Sequence, residues 1–211
     1  MAQNNRNYQK EMEKIIEGLQ GKRKSLLLHS CCAPCSSAVL EKLQNIFDIT
    51  VFYYNPNISE DKEYQKRVEE QKRLIEAFNN KNPDCLIKTI DGDYEPQEFY
   101  AIAKGVENCP EGGERCFRCY ALRLEKTAQL ARKENYDYFT TTLTISPLKN
   151  AAKLNEIGEE MALKYETAYL PSDFKKKEGY KRSIELSKEY DLYRQNFCGC
   201  AFSKAESLKK R

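Results

Sequence analysis

Nine cysteines stand in this sequence, and seven of them fall into three tight groups: Cys31-Cys32-Ala33-Pro34-Cys35, Cys116-Phe117-Arg118-Cys119 and Cys198-Gly199-Cys200. Thiolates ligate zinc and iron-sulfur clusters and also serve as redox groups, so three such groups point to metal or electron chemistry. The three-residue spacing of Cys116 and Cys119 sets both sulfurs on one face of a helix start, where free N–H groups favour the thiolate. Cys31 and Cys32 would point opposite ways in a regular strand. They can meet at one centre only if the chain turns there, which Pro34 encourages. Gly199 gives the loop the freedom to bring Cys198 and Cys200 to one ion. Cys85 lies inside a strand pattern and reads as a small buried hydrophobe. Cys109, in a loop with Pro110, Glu111, Gly112 and Gly113, is compatible with either role.

Ligand type alone does not separate zinc from iron-sulfur, because both accept four thiolates. Taken alone, Cys116 and Cys119 match a redox disulfide pair, a reading that leaves five cysteines unexplained. Structural zinc usually joins two knuckles in a small module, whereas these groups are spread across the whole chain. Four ligands from the first two groups suit a four-iron cluster with full cysteine coordination. Cys35, Cys198 and Cys200 then remain, enough for a second, single metal with an open position.

The elements that must position these groups follow from hydrophobic periodicity. Met12, Ile15, Ile16 and Leu19 predict an amphipathic helix over about 8–20. Further helices are expected at Ser36 to Gln44, at Ser59 (as N-cap) to Phe78, and at Pro96 to Lys104. Three more are expected at Phe117 to Lys133, Asn150 to Leu163 and Tyr180 to Tyr190. Strands are expected at Ser25 to His29, Ile49 to Tyr54, Cys85 to Ile90, Tyr138 to Thr142 and Glu166 to Leu170, and residues 204–211 as a flexible, solvated tail. Alternating strands and helices of these lengths predict an α/β fold with a doubly wound, mostly parallel sheet in a single domain. Ligands of such sheets bind beyond the carboxyl ends of the strands, which places Cys31, Cys32 and Cys35 at the site.

Composition narrows the function classes. The longest apolar runs, such as Leu26 to Leu28, cannot cross a bilayer, and Met1 to Arg6 lacks the pattern of an export signal, so a reducing, cytoplasmic setting is expected. A net charge of +3 from 35 basic and 32 acidic residues is too small to demand a nucleic-acid partner. His29, the single histidine, ends the first strand beside Cys31 and is the candidate acid, with a structural role as the alternative. Tyr180, Arg182, Tyr193 and Arg194 interleave aromatic rings with positive charge near Cys198, a pattern suited to a splayed base and its phosphates. Thr140 to Thr144 and Ser146 end the fourth strand, where hydroxyls meet a substrate or cap the next helix.

Several segments together resemble the QueH-type epoxyqueuosine reductases over nearly the whole chain: LLLHSCCAPCSSAVLEKL at Leu26 to Leu43, FYYNPNI at Phe52 to Ile58, RCFRCYALRLE at Arg115 to Glu125, TTLTISPLKN at Thr141 to Asn150, and YRQNFCGC at Tyr193 to Cys200. The resemblance implies an adenine-nucleotide α-hydrolase-like (HUP-like) fold spanning residues 1–211 as one domain. It also implies cobalamin-independent reduction of the epoxide of epoxyqueuosine in the tRNA anticodon, the last step of queuosine formation. By the same resemblance Cys31, Cys32, Cys116 and Cys119 hold a 4Fe-4S cluster and Cys198 and Cys200 an adjacent mononuclear metal. One position departs from the family: the site that can be Asp is Cys35 here, which leaves that second metal open between iron and zinc. An electron donor such as ferredoxin or flavodoxin is expected as a partner. Cys31 to Ser37 fills the place of the phosphate-binding loop of ATP-using relatives of the fold, so no ATP dependence is expected. Two rivals stand beside this reading. A sulfur-transferring tRNA enzyme would need that missing loop, and a zinc-stabilised RNA-binding module would need zinc in place of a cluster.

Overall fold

The computed structural model describes residues 6–209; the first five residues, part of the segment that lacks an export pattern, and the last two of the expected tail lie outside them. Its centre is β1 (Lys24–His29), in which Leu26, Leu27 and Leu28 are all fully buried. A strand without a polar face belongs in the middle of a parallel sheet covered on both sides. It pairs in parallel with β2 (Phe47–Tyr53) on one side and with β4 (Tyr138–Thr141) on the other, and β2 pairs with β3 (Lys88–Asp91). The order is therefore β3-β2-β1-β4. The chain winds outward from β1 to β3 and returns to the other side of β1, so the winding direction reverses between β1 and β4.

Alternation along β1 feeds two cores. Leu26 and Leu28 pack with Met12 of α1 (Tyr8–Gly18), Leu40 of α2 (Ala33–Leu43), Leu74 of α3 (Asp61–Lys81) and Leu186 of α7 (Gly179–Glu189). Leu27 points the other way, to Leu124 of α5 (Glu114–Lys133) and Leu154 of α6 (Ala151–Tyr165). The short α4 (Pro96–Ala103) lies between β3 and α5. No helix of the described residues is long and apolar enough to cross a membrane.

Several boundaries differ from expectation, and each has a local cause. Helix α2 starts at Ala33 rather than Ser36 because Pro34 sits in its first turn, where a missing N–H costs nothing. Strand β3 starts three residues late. Asn79 of α3 accepts from the Ile87 N–H and donates to its carbonyl, taking both groups the ladder would need, and Cys85 is left in a turn rather than a strand. Ser59 does not cap α3, whose N-cap is Glu60; its N–H donates instead to the carbonyl of Gly199. The strand expected at Glu166 to Leu170 shrinks to one parallel bridge between Tyr169 and Phe139. Glu166 ends α6 in the left-handed region (φ 49°), and Pro171 stops the ladder on the far side. The expected tail is α8 (Ala201–Lys209), tied down by the ion pairs Lys204–Glu60 and Glu206–Arg115 and by buried Ser203.

The Tyr169 bridge sets the spacing of α6 from the sheet. A Cβ on Gly158 would lie 2.4 to 2.6 Å from the Tyr169 ring. Gly158→Ala should therefore lower stability by about 1–3 kcal/mol in urea unfolding; an unchanged midpoint would show that α6 rides freely over the sheet edge.

Candidate metal centre

The three cysteine groups converge beyond the carboxyl ends of β1 and β4. Cys32 is the N-cap of α2 with extended backbone (φ −176°, ψ 160°), so the chain turns directly after Cys31 and brings Cys35 back one helical turn later. The sulfurs of Cys31, Cys32 and Cys35 all lie within 4.8 Å of one another, and those of Cys31 and Cys32 are 3.8 Å apart. Thr142, in the 3₁₀ turn after β4, fixes this loop from across the switch point: its hydroxyl accepts from the Cys31 N–H (3.3 Å) and donates to Cys31 Sγ (3.5 Å). Cys116 and Cys119 occupy the first two turns of α5, and the Gly112 N–H donates to Cys116 Sγ (3.2 Å). Cys198 and Cys200 directly precede α8, where Ser203 accepts from the Cys198 N–H (2.8 Å) and donates its own N–H to Cys200 Sγ (3.3 Å). Gly199 between them has φ +115°, and a Cβ there would meet Ile58 at 2.9 Å and the Arg67 guanidinium at 3.0 Å, so this turn admits only glycine.

A cavity of about 320 Å³ opens over Cys31, Cys32, Cys35 and Cys198. A second space of only about 10 Å³ lies between Cys116, Cys119, Cys198 and Cys200. Cys198, Lys149 and Glu111 line both, so the two adjoin. The sulfurs in mutual contact are thus those of the first loop, with Cys35 beside Cys31 and Cys32 rather than apart from them. Cys85 stands away from this end of the sheet, with Arg23 Nη1 3.4 Å from its sulfur at the start of β1. Cys109 contributes its backbone carbonyl as an acceptor for Arg115.

Buried positive charge surrounds the sulfurs. Arg123 is 1% exposed and has no carboxylate partner among the described residues; it donates to His29 Nε2 (3.2 Å), Asn55 Oδ1 (2.5 Å) and, more loosely, Cys119 Sγ (3.9 Å). Arg67 pairs with Glu63 and donates to the Cys198 carbonyl at 3.0 Å. Lys149 Nζ lies 3.3 Å from Cys198 Sγ and 3.5 Å from Glu111 Oε1. Burial alone would lower the Lys149 pKa, but Cys198, Tyr120 and Glu111 outweigh it and hold it well above its ordinary value. Among the thiols, hydrogen bonds from Cys32 and Cys35 and the charge of Arg123 hold Cys31 well below the ordinary range. Cys32 and Cys35, facing Cys31, are pushed up, Cys32 to about 12. Burial raises Cys119 to about 12 and Cys200 to about 11. A buried guanidinium that meets sulfur where a carboxylate would be expected, beside seven convergent soft donors, fits a negatively charged metal-thiolate centre. Loading it would expel the protons these thiols retain.

Of the candidates named from the sequence, Tyr180 and Arg194 line the large cavity, and Arg194 is steadied by a hydrogen bond to Ser187 (3.0 Å). Arg182 does not reach it, being bound to Glu41 and Glu185 on the outer face of α7. Tyr193 also turns away, its hydroxyl donating to Glu63 and its ring covered by Lys66 at 3.4 Å. His29 is fully buried and does not line the cavity. His29 Nε2 lies 3.2 Å from Arg123 Nε and 3.1 Å from the Tyr54 carbonyl, and Nδ1 lies 2.8 Å from Thr141 Oγ1; these buried contacts make His29 a support for Arg123 and the β2 loop in place of the acid expected from its position. Thr140 and Thr144 bond to the Leu170 carbonyl and Ser172, and of the candidate hydroxyl residues among Thr140 to Thr144 and Ser146 only Ser146 lines the cavity. Sequence reasoning missed Arg67, Arg123, Lys149 and Glu111 as site residues. Two of them leave a signal: Arg123 follows Cys119 by four residues on one helix face, and Arg67 falls on the inward face of α3 with Tyr64, Val68 and Leu74, where an apolar residue would be expected.

Fold and site together define a class: a doubly wound parallel α/β protein with a cluster of cysteine sulfurs at its switch point that could hold a metal. The chain belongs to the epoxyqueuosine reductase QueH family, whose model matches residues 26–206. It is 45% identical over 201 residues to the epoxyqueuosine reductase QueH of Staphylococcus epidermidis, covering 93% of this chain and 84% of that protein. The QueH of Streptococcus pyogenes is 43% identical over 199 residues (93% and 78%), and that of Thermotoga maritima 36% identical over 189 residues (88% and 93%).

Burial and the neighbouring Arg123 lower the His29 pKa from 6.5 to about 3. The unfolded chain therefore takes up a proton below pH 6.5 that the folded chain refuses, and stability is lost as pH falls from 6.5 towards 3, by up to about 1.4 kcal/mol per unit. In metal-free protein, the wild type should lose about 2 kcal/mol more than His29→Gln between pH 6.5 and 5 in urea unfolding; equal losses would show that His29 is solvated.

Proposed function

We propose that this chain reduces the epoxide of epoxyqueuosine in a tRNA anticodon, the final step of queuosine formation. Two electrons and two protons convert the epoxide to an alkene and water. The observation that carries this reading is the contact of Cys31, Cys32 and Cys35 at the floor of a cavity large enough for one unstacked nucleotide, in a chain of the QueH family. Cys31, Cys32, Cys116 and Cys119 would hold a 4Fe-4S cluster, and Cys35, Cys198 and Cys200 an adjacent iron, with zinc as the alternative metal. Bound there, the cluster supplies electrons and the second metal supplies a Lewis acid for the epoxide oxygen.

The chain's own residues prepare the site for this chemistry. Arg67, Arg123 and Lys149 hold fixed positive charge around the sulfurs, which compensates a centre rich in thiolate. Leu143 and Ile145 wall the cavity against water, while Tyr180 and Arg194 stand at its lining as a stacking surface and a phosphate partner for the anticodon loop. Helix α2 begins where ATP-using relatives of the fold bind phosphate, and here its first turn carries Cys35; the reaction uses no ATP. The electrons come from a small carrier such as ferredoxin or flavodoxin, and the setting is the reducing cytoplasm.

Protein purified without oxygen should contain about four iron and four sulfide per chain, plus one further metal, and should convert epoxyqueuosine tRNA with a strong reductant. Zinc without sulfide, persisting after reconstitution, would end this reading in favour of an RNA-binding module. Cys198→Ala or Cys200→Ala should abolish turnover and leave the four-iron spectrum in place; loss of that spectrum would move both residues to the cluster.

A further inference from the structure

Glu111 contributes the only carboxylate to the lining of the large cavity among the described residues. Its Oε1 lies 3.5 Å from Lys149 Nζ, and Oε2 has no hydrogen-bond partner among the described residues. The pair thus presents two acceptor oxygens and, beside them, an ammonium donor whose side chain is 8% exposed. Epoxyqueuosine is a 7-deazaguanosine derivative, and the Watson–Crick edge of a guanine-type base carries donors at its exocyclic amine and N1, followed by an acceptor at O6. That order of donor, donor, acceptor is the complement of acceptor, acceptor, donor.

We propose that Glu111 and Lys149 form a base-reading site, in which the Glu111 carboxylate accepts from N1–H and the exocyclic amine while Lys149 donates to O6. The assignment rests on the tRNA reading given above and deepens it. Enzymes that act on one nucleotide of a folded RNA read the extruded base by its Watson–Crick edge and hold its faces on apolar side chains. Leu143, Ile145, Phe197 and Tyr180 line the same cavity and supply such faces. Lys149 also touches Cys198 Sγ, so the base edge is anchored next to the sulfur centre. The C7 substituent that bears the epoxide springs from the side of the base adjoining O6, which turns it towards that sulfur. An adenine-type base would place its N1 lone pair against the carboxylate and an amine against the ammonium, so the pair rejects it as well as selecting guanine.

The test compares anticodon stem-loop RNAs that carry 7-deazaguanine or 7-deazaadenine at the modified position, with binding to the anaerobic holoenzyme read by fluorescence anisotropy. Wild type should favour 7-deazaguanine by about ten- to a hundredfold, the discrimination expected of a bidentate base contact. Glu111→Gln, which turns one acceptor into a donor, and Glu111→Ala should bring the two affinities within about threefold while iron content stays that of wild type. Retained preference in both variants, absence of preference in wild type, or loss of iron on substitution would each overturn the assignment, the last by moving Glu111 into the metal centre. Turnover of epoxyqueuosine tRNA by the same wild-type preparation separates this outcome from failure of the functional reading itself.

Discussion

The arrangement at the carboxyl end of the sheet depends on the burial of cations against sulfur. An isolated guanidinium in a dry interior costs several kcal/mol even after relaxation, and the usual remedy is a carboxylate. Arg123 finds a neutral imidazole, an amide oxygen and a thiol instead. Those three partners come from the end of β1, the loop after β2 and the body of α5, so one side chain fixes the relative positions of three elements. Negative charge on the sulfurs, which a bound metal would impose, would complete the balance of this buried cation.

The surrounding polar network makes the loops rigid enough to hold ligands in place. Ser30 and Ser36 share Gln71 Oε1 as acceptor, and Asn55 donates to the Ser30 carbonyl at 2.8 Å, so the turn that carries Cys31 and Cys32 is braced from α2, α3 and the β2 loop. The second loop is held in the same manner by α3: Ser59 and Arg67 bond to the carbonyls of Gly199 and Cys198. Gln71 Nε2 has no partner among the described residues, but the bonds that are made favour one geometry, because a displaced member leaves a desolvated partner behind. Helix α3, remote in sequence from the seven converging cysteines, is therefore as much part of the site as the helices that bear them.

The sheet was legible because its signals are strong: an all-apolar β1, period-two strands, and helices with continuous apolar stripes. The cysteine groups were legible for a different reason, since their spacing is improbable except around a shared centre. Errors arose where a side chain took over backbone groups, as Asn79 does at Ile87, and where a terminal helix gained its stability from ion pairs that no local pattern reveals. The misplaced roles share one cause. His29, Arg182 and Tyr193 stand near cysteines in sequence, but their direction is set by partners more than ten residues away, at Thr141, Glu41 and Glu63. Lys149 and Glu111 escaped notice because the cavity joins loops from opposite ends of the chain.

Helix α2 starts directly after β1, so its N-terminus faces the crevice where open α/β sheets bind ligands. In phosphate-binding members of such folds, free N–H groups and the helix dipole at this point hold an anion. Cys31, Cys32 and Cys35 bring three sulfurs to the same place, and the dipole that would favour a phosphate favours thiolate there. With Cys31 held low by its neighbours and Arg123, a phosphate brought to this helix terminus would face a thiolate in a poorly hydrated space. The cysteines thus make a sulfur site of the helix terminus at which such folds bind anions. The rest of the crevice is lined by Glu111, Lys149 and Arg194.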